Sequence, residues 1–177
     1  MDVLGDFPST EKRRIDKEGE VYCSIGGSAF NIAVDIANAG GTTVSLFTHV
    51  RRKSPVTDII LARLREEGVS ARYVIRDTNI QRDSGFIAHR VDGELVSAVS
   101  SMPVEDAQFD ERVLASAVNR ASIVIAECNL SGTQLSLIAR LCKPTGKPLI
   151  VGGVSESKCQ RIRLMNDPAA SCGVSKP

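Results

Sequence analysis

The chain contains no tryptophan, and aromatic residues make up only 4% of it. Surfaces that stack the bases of single-stranded nucleic acid rely on such side chains, so this function class is not expected. Neither sign of charge is in excess: 22 basic residues stand against 21 acidic ones, for a net charge of +1. No global field draws the chain to nucleic acid or to an anionic membrane, and any basic site must be local. Only two histidines occur, His49 and His89, and neither has another His or a Cys at ligand spacing, which argues against an imidazole metal site. The five cysteines, Cys23, Cys128, Cys142, Cys159 and Cys172, are odd in number, widely spaced and free of any CxxC pair. That pattern is neither a disulfide framework nor a zinc signature. A secretory leader pattern is missing, and no apolar run approaches the roughly 18 residues of a membrane span. The expected compartment is the cytoplasm, with thiols reduced and most of them serving as small buried hydrophobes.

What is present fits one α/β domain. A length of 177 residues suffices for a core without metals or disulfides, and 42% hydrophobic with 24% charged residues suits a globular protein. Strands are predicted over residues 1–5, 21–25, 42–47, 71–76, 122–126 and 148–151, from short β-rich or alternating runs. Helices are predicted over 28–39, 56–67, 110–120 and 131–142, from apolar positions at helical spacing and from Pro55 and Gly68 at the ends of the second. Residues 85–91 and 94–99 form a hairpin around Asp92-Gly93, a strong two-residue turn signal. Strands alternating with helices call for a mainly parallel sheet covered by helices. The domain is expected over 1–165, with a charged connection at 6–17 and a loose, aperiodic tail at 166–177.

In such sheets ligands sit beyond the carboxyl ends of strands. Glu127, Cys128 and Asn129 fall at one such end and residues 152–155 at the next. A further ligand signal is the pair Gly26-Gly27, followed by Ser28 and Asn31, at the head of an apolar stretch closing in Gly40-Gly41. Two glycines leave the backbone bare for close approach, and the first helical turn has free N–H donors and a favourable dipole. Ser28 is expected as N-cap, with Asn31 aiming its amide at the same place. A loop glycine pair before a buried helix explains the same residues without a ligand. The helix, apolar on nearly every face, is expected to be packed inside the domain.

These segments resemble the ribokinase (PfkB) family of sugar and nucleoside kinases, and within it the pseudouridine-kinase-like branch. Gly26-Gly27-Ser28-Ala29-Phe30-Asn31-Ile32-Ala33 is similar to the N-terminal signature of that family, and Glu66-Glu67-Gly68-Val69 to the turn after its second helix. The Asp92-Gly93 hairpin resembles its lid strands. Asn129-Leu130-Ser131 and Val154-Ser155-Glu156-Ser157-Lys158 resemble the NLS and VSxxK segments of the pseudouridine kinases. The resemblance covers about residues 20–162. It implies a ribokinase-like three-layer α/β/α fold with a mainly parallel sheet, truncated, plus a small β lid made by residues of about 18–25 and 84–100. It also implies substrate contacts, to the hydroxyls of a sugar or nucleoside, at Gly26, Gly27, Asn31, Asn129 and Lys158.

The chain departs from the family pattern in ways that bear on activity. Family members are roughly twice as long, and their second half carries a glycine-rich DTxGAGD segment with the anion hole and the catalytic base; nothing similar follows Lys158. Thr10 stands where an early substrate-binding aspartate belongs, with Asp6 nearby but out of register. The acidic GDD loop is replaced by Arg51-Arg52-Lys53, a cation cluster suited to a phosphate or simply to solvent. Asp106 and Glu127 are conceivable bases, and neither matches the family motif. Phosphoryl transfer without a positioned base and donors loses both orientation and electrostatic stabilisation. The expectation is a substrate-binding half with no catalytic residues of its own, using ATP and Mg²⁺ only if a missing half is supplied. The alternative is a non-catalytic interaction module that forms a homodimer through its lid strands. Dinucleotide binding is disfavoured, because the third glycine and the acidic residue of that fingerprint are missing.

Overall fold

The structure is a computed structural model that describes residues 22–92, 94–163, 165 and 171–173. The expected strand at 1–5, the connection at 6–17 and Thr10 lie outside the described residues. Gly27 has φ of 108°, a left-handed backbone that a side chain resists, and it sets the chain into helix α1 (Ser28–Ala39). Strand β1 (Ser45–Arg51) then leads to helix α2 (Pro55–Glu66), which crosses over to β2 (Ser70–Asp77). The Oγ of Ser54 accepts the Val56 N–H at 3.1 Å, and Pro55 occupies the first helical position, where its missing N–H forfeits no bond. Strands β1 and β2 pair in parallel, as a crossover helix between them requires. Pairing with β2 carries β1 on to Arg51, four residues beyond the predicted end, because backbone bonds rather than alternation set where a strand stops.

Strands β3 (Gly85–Val91) and β4 (Glu94–Ser101) form the predicted antiparallel hairpin, with Asp92 in the left-handed region at φ 49°. A 3-10 turn, Pro103–Asp106, leads from β4 to α3 (Glu111–Arg120), whose first N–H groups are capped by Asp110. Strand β5 (Val124–Glu127), helix α4 (Gly132–Cys142), strand β6 (Leu149–Gly152) and helix α5 (Glu156–Arg163) follow. Ser131 and Gln134 close a capping box at the head of α4. Strands β5 and β6 pair in parallel from Val124↔Leu149 to Glu127↔Gly152.

Three expectations are corrected. Residues 22–25 form no strand: Tyr22 is 84% exposed, and Ile25 packs against the α1–α2 core instead of entering a ladder. Within the tail expected to be loose, β7 (Ser171–Gly173) pairs in parallel with Ile150–Gly152. So short a strand takes its order from the free backbone groups of β6, which leave no trace in side-chain periodicity. Helix α1 is not fully internal, since only Phe30 and Ala33 are buried and its other residues are half-buried or exposed.

Two cores result. Leu114 and Val118 of α3 and Leu135, Ile138, Ala139 and Cys142 of α4 pack on Ala126, Leu149 and Val151 of the β5–β6–β7 sheet, which is separate from the β1–β2 pair. Phe30, Ala33, Leu64 and Val69 form the other, between α1, α2 and the β1–β2 pair. Phe47 of β1 reaches the first core, edge-on to Phe109 at 5.1 Å. Leu64, Leu135 and Val151 are fully shielded, and each such side chain contributes about 1.5–3 kcal/mol. Among the described residues no helix is long and apolar enough to cross a membrane.

Candidate functional site

Strand β5 ends in Glu127, and its carboxylate lies across the start of α1. Oε2 accepts the hydroxyl of Ser28 and, at 3.2 Å, the backbone N–H of Ala29. A carboxylate suits this position, because the first-turn N–H groups are unpaired and carry the positive end of the helix dipole. Ser28 is therefore not the N-cap expected from sequence. Gly27 occupies that position without a side chain to offer, so capping comes from a residue 99 positions along the chain.

The other carboxylate oxygen continues the network. Asn129 Nδ2 donates to Glu127 Oε1 at 2.8 Å, and Lys158 Nζ, from α5, donates to Asn129 Oδ1 at 2.6 Å. Asn129 is buried, with 5% of its surface exposed, while Glu127 and Lys158 are half-buried. The acceptors and donors alternate along one line: α1 start, Glu127, Asn129, Lys158. The end of β5 with the turn that follows it, the start of α1, and α5 supply its parts.

All five residues singled out from sequence fall at or beside this line. Asn129 and Lys158 are bonded to each other. Gly26 and Gly27 directly precede Ser28, and both are exposed. The Asn31 side chain folds back over Gly26, so that a Cβ placed there would stand 3.9 Å from Asn31 Oδ1. Glu127, which the sequence placed at a strand end and offered as a conceivable base, is the group that joins the start of α1 to Asn129. Its strand-end position was a signal for a site residue; its contact with Ser28 spans too much chain for any local pattern to reveal.

Unused capacity gives the site its chemistry. A carboxylate has about four lone-pair positions, and Glu127 uses three of them. The Lys158 ammonium has three donors and spends one on Asn129. The arrangement therefore offers acceptor and donor positions side by side, which is what neighbouring hydroxyls require.

Other polar features lie apart from this line. At the carboxyl ends of β1 and β2, His49 Nδ1 donates to Asp77 Oδ2 at 2.8 Å, and the Asn79 N–H donates to Asp77 Oδ1 at 2.8 Å. The His49 hydrogen bond, reinforced by the Asn79 N–H, holds the Asp77 carboxyl below its usual range. A concavity of about 180 Å³ opens beside Asp77, Asn79, Gln81, Arg82 and Asp106, away from Glu127. Within the Arg51-Arg52-Lys53 cluster, Arg51 faces Asp83 at 3.7 Å, and Arg52 and Lys53 are exposed.

No protein-family model and no curated protein sequence matches the chain. Solved structures do. A carbohydrate kinase from Agrobacterium tumefaciens superposes with a TM-score of 0.64 at 21% identity, covering 85% of this chain and 52% of that one. Ribokinase from Giardia lamblia gives 0.65 at 18% identity, covering 85% and 50%. A PfkB family carbohydrate kinase from Listeria grayi gives 0.56 at 16% identity, covering 78% and 48%. The chain thus has a ribokinase-like α/β fold, and it spans about half the length of the solved structures it matches.

Proposed function

We propose that this chain is a ribokinase-like sugar- or nucleoside-binding half that holds a hydroxyl-rich ligand at Glu127, Asn129, Lys158, Asn31 and the Gly26-Gly27 backbone. The observation that carries the reading is the bonded line from the start of α1 through Glu127 and Asn129 to Lys158. Neighbouring hydroxyls would each give a proton to a carboxylate or amide oxygen and accept one from Lys158 or Asn31. A nucleoside, pseudouridine above all, is favoured over a free sugar by the Asn129-Leu130-Ser131 and Val154-to-Lys158 segments. Phosphoryl transfer is not assigned to these residues. Asp106 is the exposed last residue of the 3-10 turn, and Glu127 is already engaged by three donors. ATP and Mg²⁺ would act here only with groups from outside these 177 residues.

Thermal-shift and calorimetric screening against pseudouridine, uridine, D-ribose, D-fructose and ATP tests the reading. Saturable binding of a nucleoside or sugar, with no substrate-dependent ATP consumption in a coupled assay, is the expected result. ATP turnover by the purified chain would contradict the non-catalytic assignment, and no response to any sugar or nucleoside would contradict the binding one.

A second reading, self-association through the lid, is favoured by one observation. On the β3–β4 hairpin Phe86, Ile87, Leu95, Val96 and Val99 are 42–60% exposed, on both faces of a two-stranded ribbon. Two-stranded sheets are marginal alone, and apolar residues on both faces call for a covering layer. A second copy of the hairpin supplies one, making the protein a homodimer. This reading is compatible with ligand binding and is tested separately below.

A further inference from the structure

We infer that Arg161 is a positioning residue that fixes the turn carrying Asn129 and, through Glu105, ties that turn to the root of the β3–β4 hairpin. The turn leaves β5 with three successive carbonyls, those of Cys128, Asn129 and Leu130, facing one nitrogen. Arg161 Nη1 donates to them at 3.1, 3.3 and 3.2 Å. Its Nη2 donates to Glu105 Oε2 at 2.7 Å. Both partners are substantially shielded, with side chains 26% and 35% exposed.

Converging carbonyl dipoles repel one another unless a cation sits among them, and a planar guanidinium supplies several donors in a fixed fork. Its orientation is set by the Glu105 carboxylate, in a charge-assisted bond of the stronger kind. Arg161 lies one turn beyond Lys158 on α5, so one helix face delivers both the cation that bonds the Asn129 side chain and the cation that holds its backbone. Glu105 in turn stands in the Pro103–Asp106 turn, which follows directly on β4. That turn is anchored to the body by Gln134, a buried side chain whose Nε2 donates to the Val104 and Ala107 carbonyls at 2.8 Å each. A continuous path of bonds therefore joins hairpin root, Glu105, Arg161, the Asn129 turn and the proposed ligand.

The ligand-binding part of this inference rests on the proposed function, and the test separates the two. Hydrogen exchange is followed at the Leu130 amide, which donates to the Glu127 carbonyl at 3.1 Å across the turn. Arg161→Met is expected to speed its exchange on the order of tenfold while the Leu135 and Ile138 amides of α4 keep their protection. Glu105→Gln, which leaves the carbonyl contacts in place, is expected to act in the same direction and more weakly. Unchanged Leu130 exchange in folded Arg161→Met protein overturns the inference; should that variant not fold, unchanged exchange in Glu105→Gln overturns it. In parallel, titration of uridine or D-ribose is expected to weaken on the order of tenfold in Arg161→Met, with no further loss when Asn129→Ala is already present. Equal losses in both backgrounds would contradict action through Asn129. Absence of binding by the unmodified protein would count against the proposed function, and Leu130 exchange would still decide the role of Arg161.

Discussion

At the scale of single residues, the site depends on a contact between distant parts of the chain. Asn129 and Lys158 could be read from strand-end position and motif resemblance, and Gly26, Gly27 and Asn31 from the look of a helix start. Glu127 could be placed at a strand end, but its role as the capping group of α1 could not, because nothing local in residues 124–127 specifies Ser28 as a partner. Loss of Lys158 tests the outer end of the line. Lys158→Met removes the donor to Asn129 Oδ1 and should weaken uridine or D-ribose binding on the order of tenfold, with the melting temperature almost unchanged for a half-buried side chain on a surface helix. The His49–Asp77 pair makes a separate prediction about stability. Asp77 is held below the ordinary carboxylate value of about 3.9, so it releases its proton more readily when folded. Its contribution is therefore fully present above the unfolded value and is lost as pH falls through the lower, folded one. Denaturant unfolding from pH 7 down to pH 2 should show stability dropping below about pH 4. Asp77→Asn should cost about 1–2 kcal/mol at pH 7 and flatten that acid limb.

Among the elements, helices were more legible than strands. The α2 start followed from Pro55, and the hairpin from Asp92-Gly93, because helix starts and turns are chemistry of adjacent residues. Strand ends shifted because ladders depend on partners: β1 runs to Arg51 beside β2, β7 exists beside β6, and residues 22–25 are not part of a strand. The structural weight of α4 is tested by Leu135→Ala, which empties a fully shielded position and should cost about 2–5 kcal/mol in denaturant unfolding. The hairpin prediction concerns association. Light scattering at micromolar concentration should give a dimer mass for the unmodified chain and a monomer mass for the double change Phe86→Lys, Val96→Lys, since charges on a ribbon of exposed apolar residues block its coverage by a second copy. A monomeric unmodified chain would contradict the dimer.

For the molecule as a whole, the fold class was legible because alternating strands and helices leave few arrangements, and solved carbohydrate kinases share it over about half their length. Fold alone does not give activity. What argues for a ligand is the bonded line at the end of β5. The sheet also keeps apolar surface uncovered, with Ile125 and Ile150 side by side at 39% and 43% exposure. That pairing could not be read from sequence, where both residues simply look like core. The central claim stands on Glu127, and calorimetric titration of uridine and D-ribose into the unmodified protein and into Glu127→Gln tests it most directly. The account predicts saturable one-site binding by the unmodified protein, weakened at least about tenfold when the carboxylate becomes an amide. Equal affinity in the two proteins, or no binding by either, would contradict it.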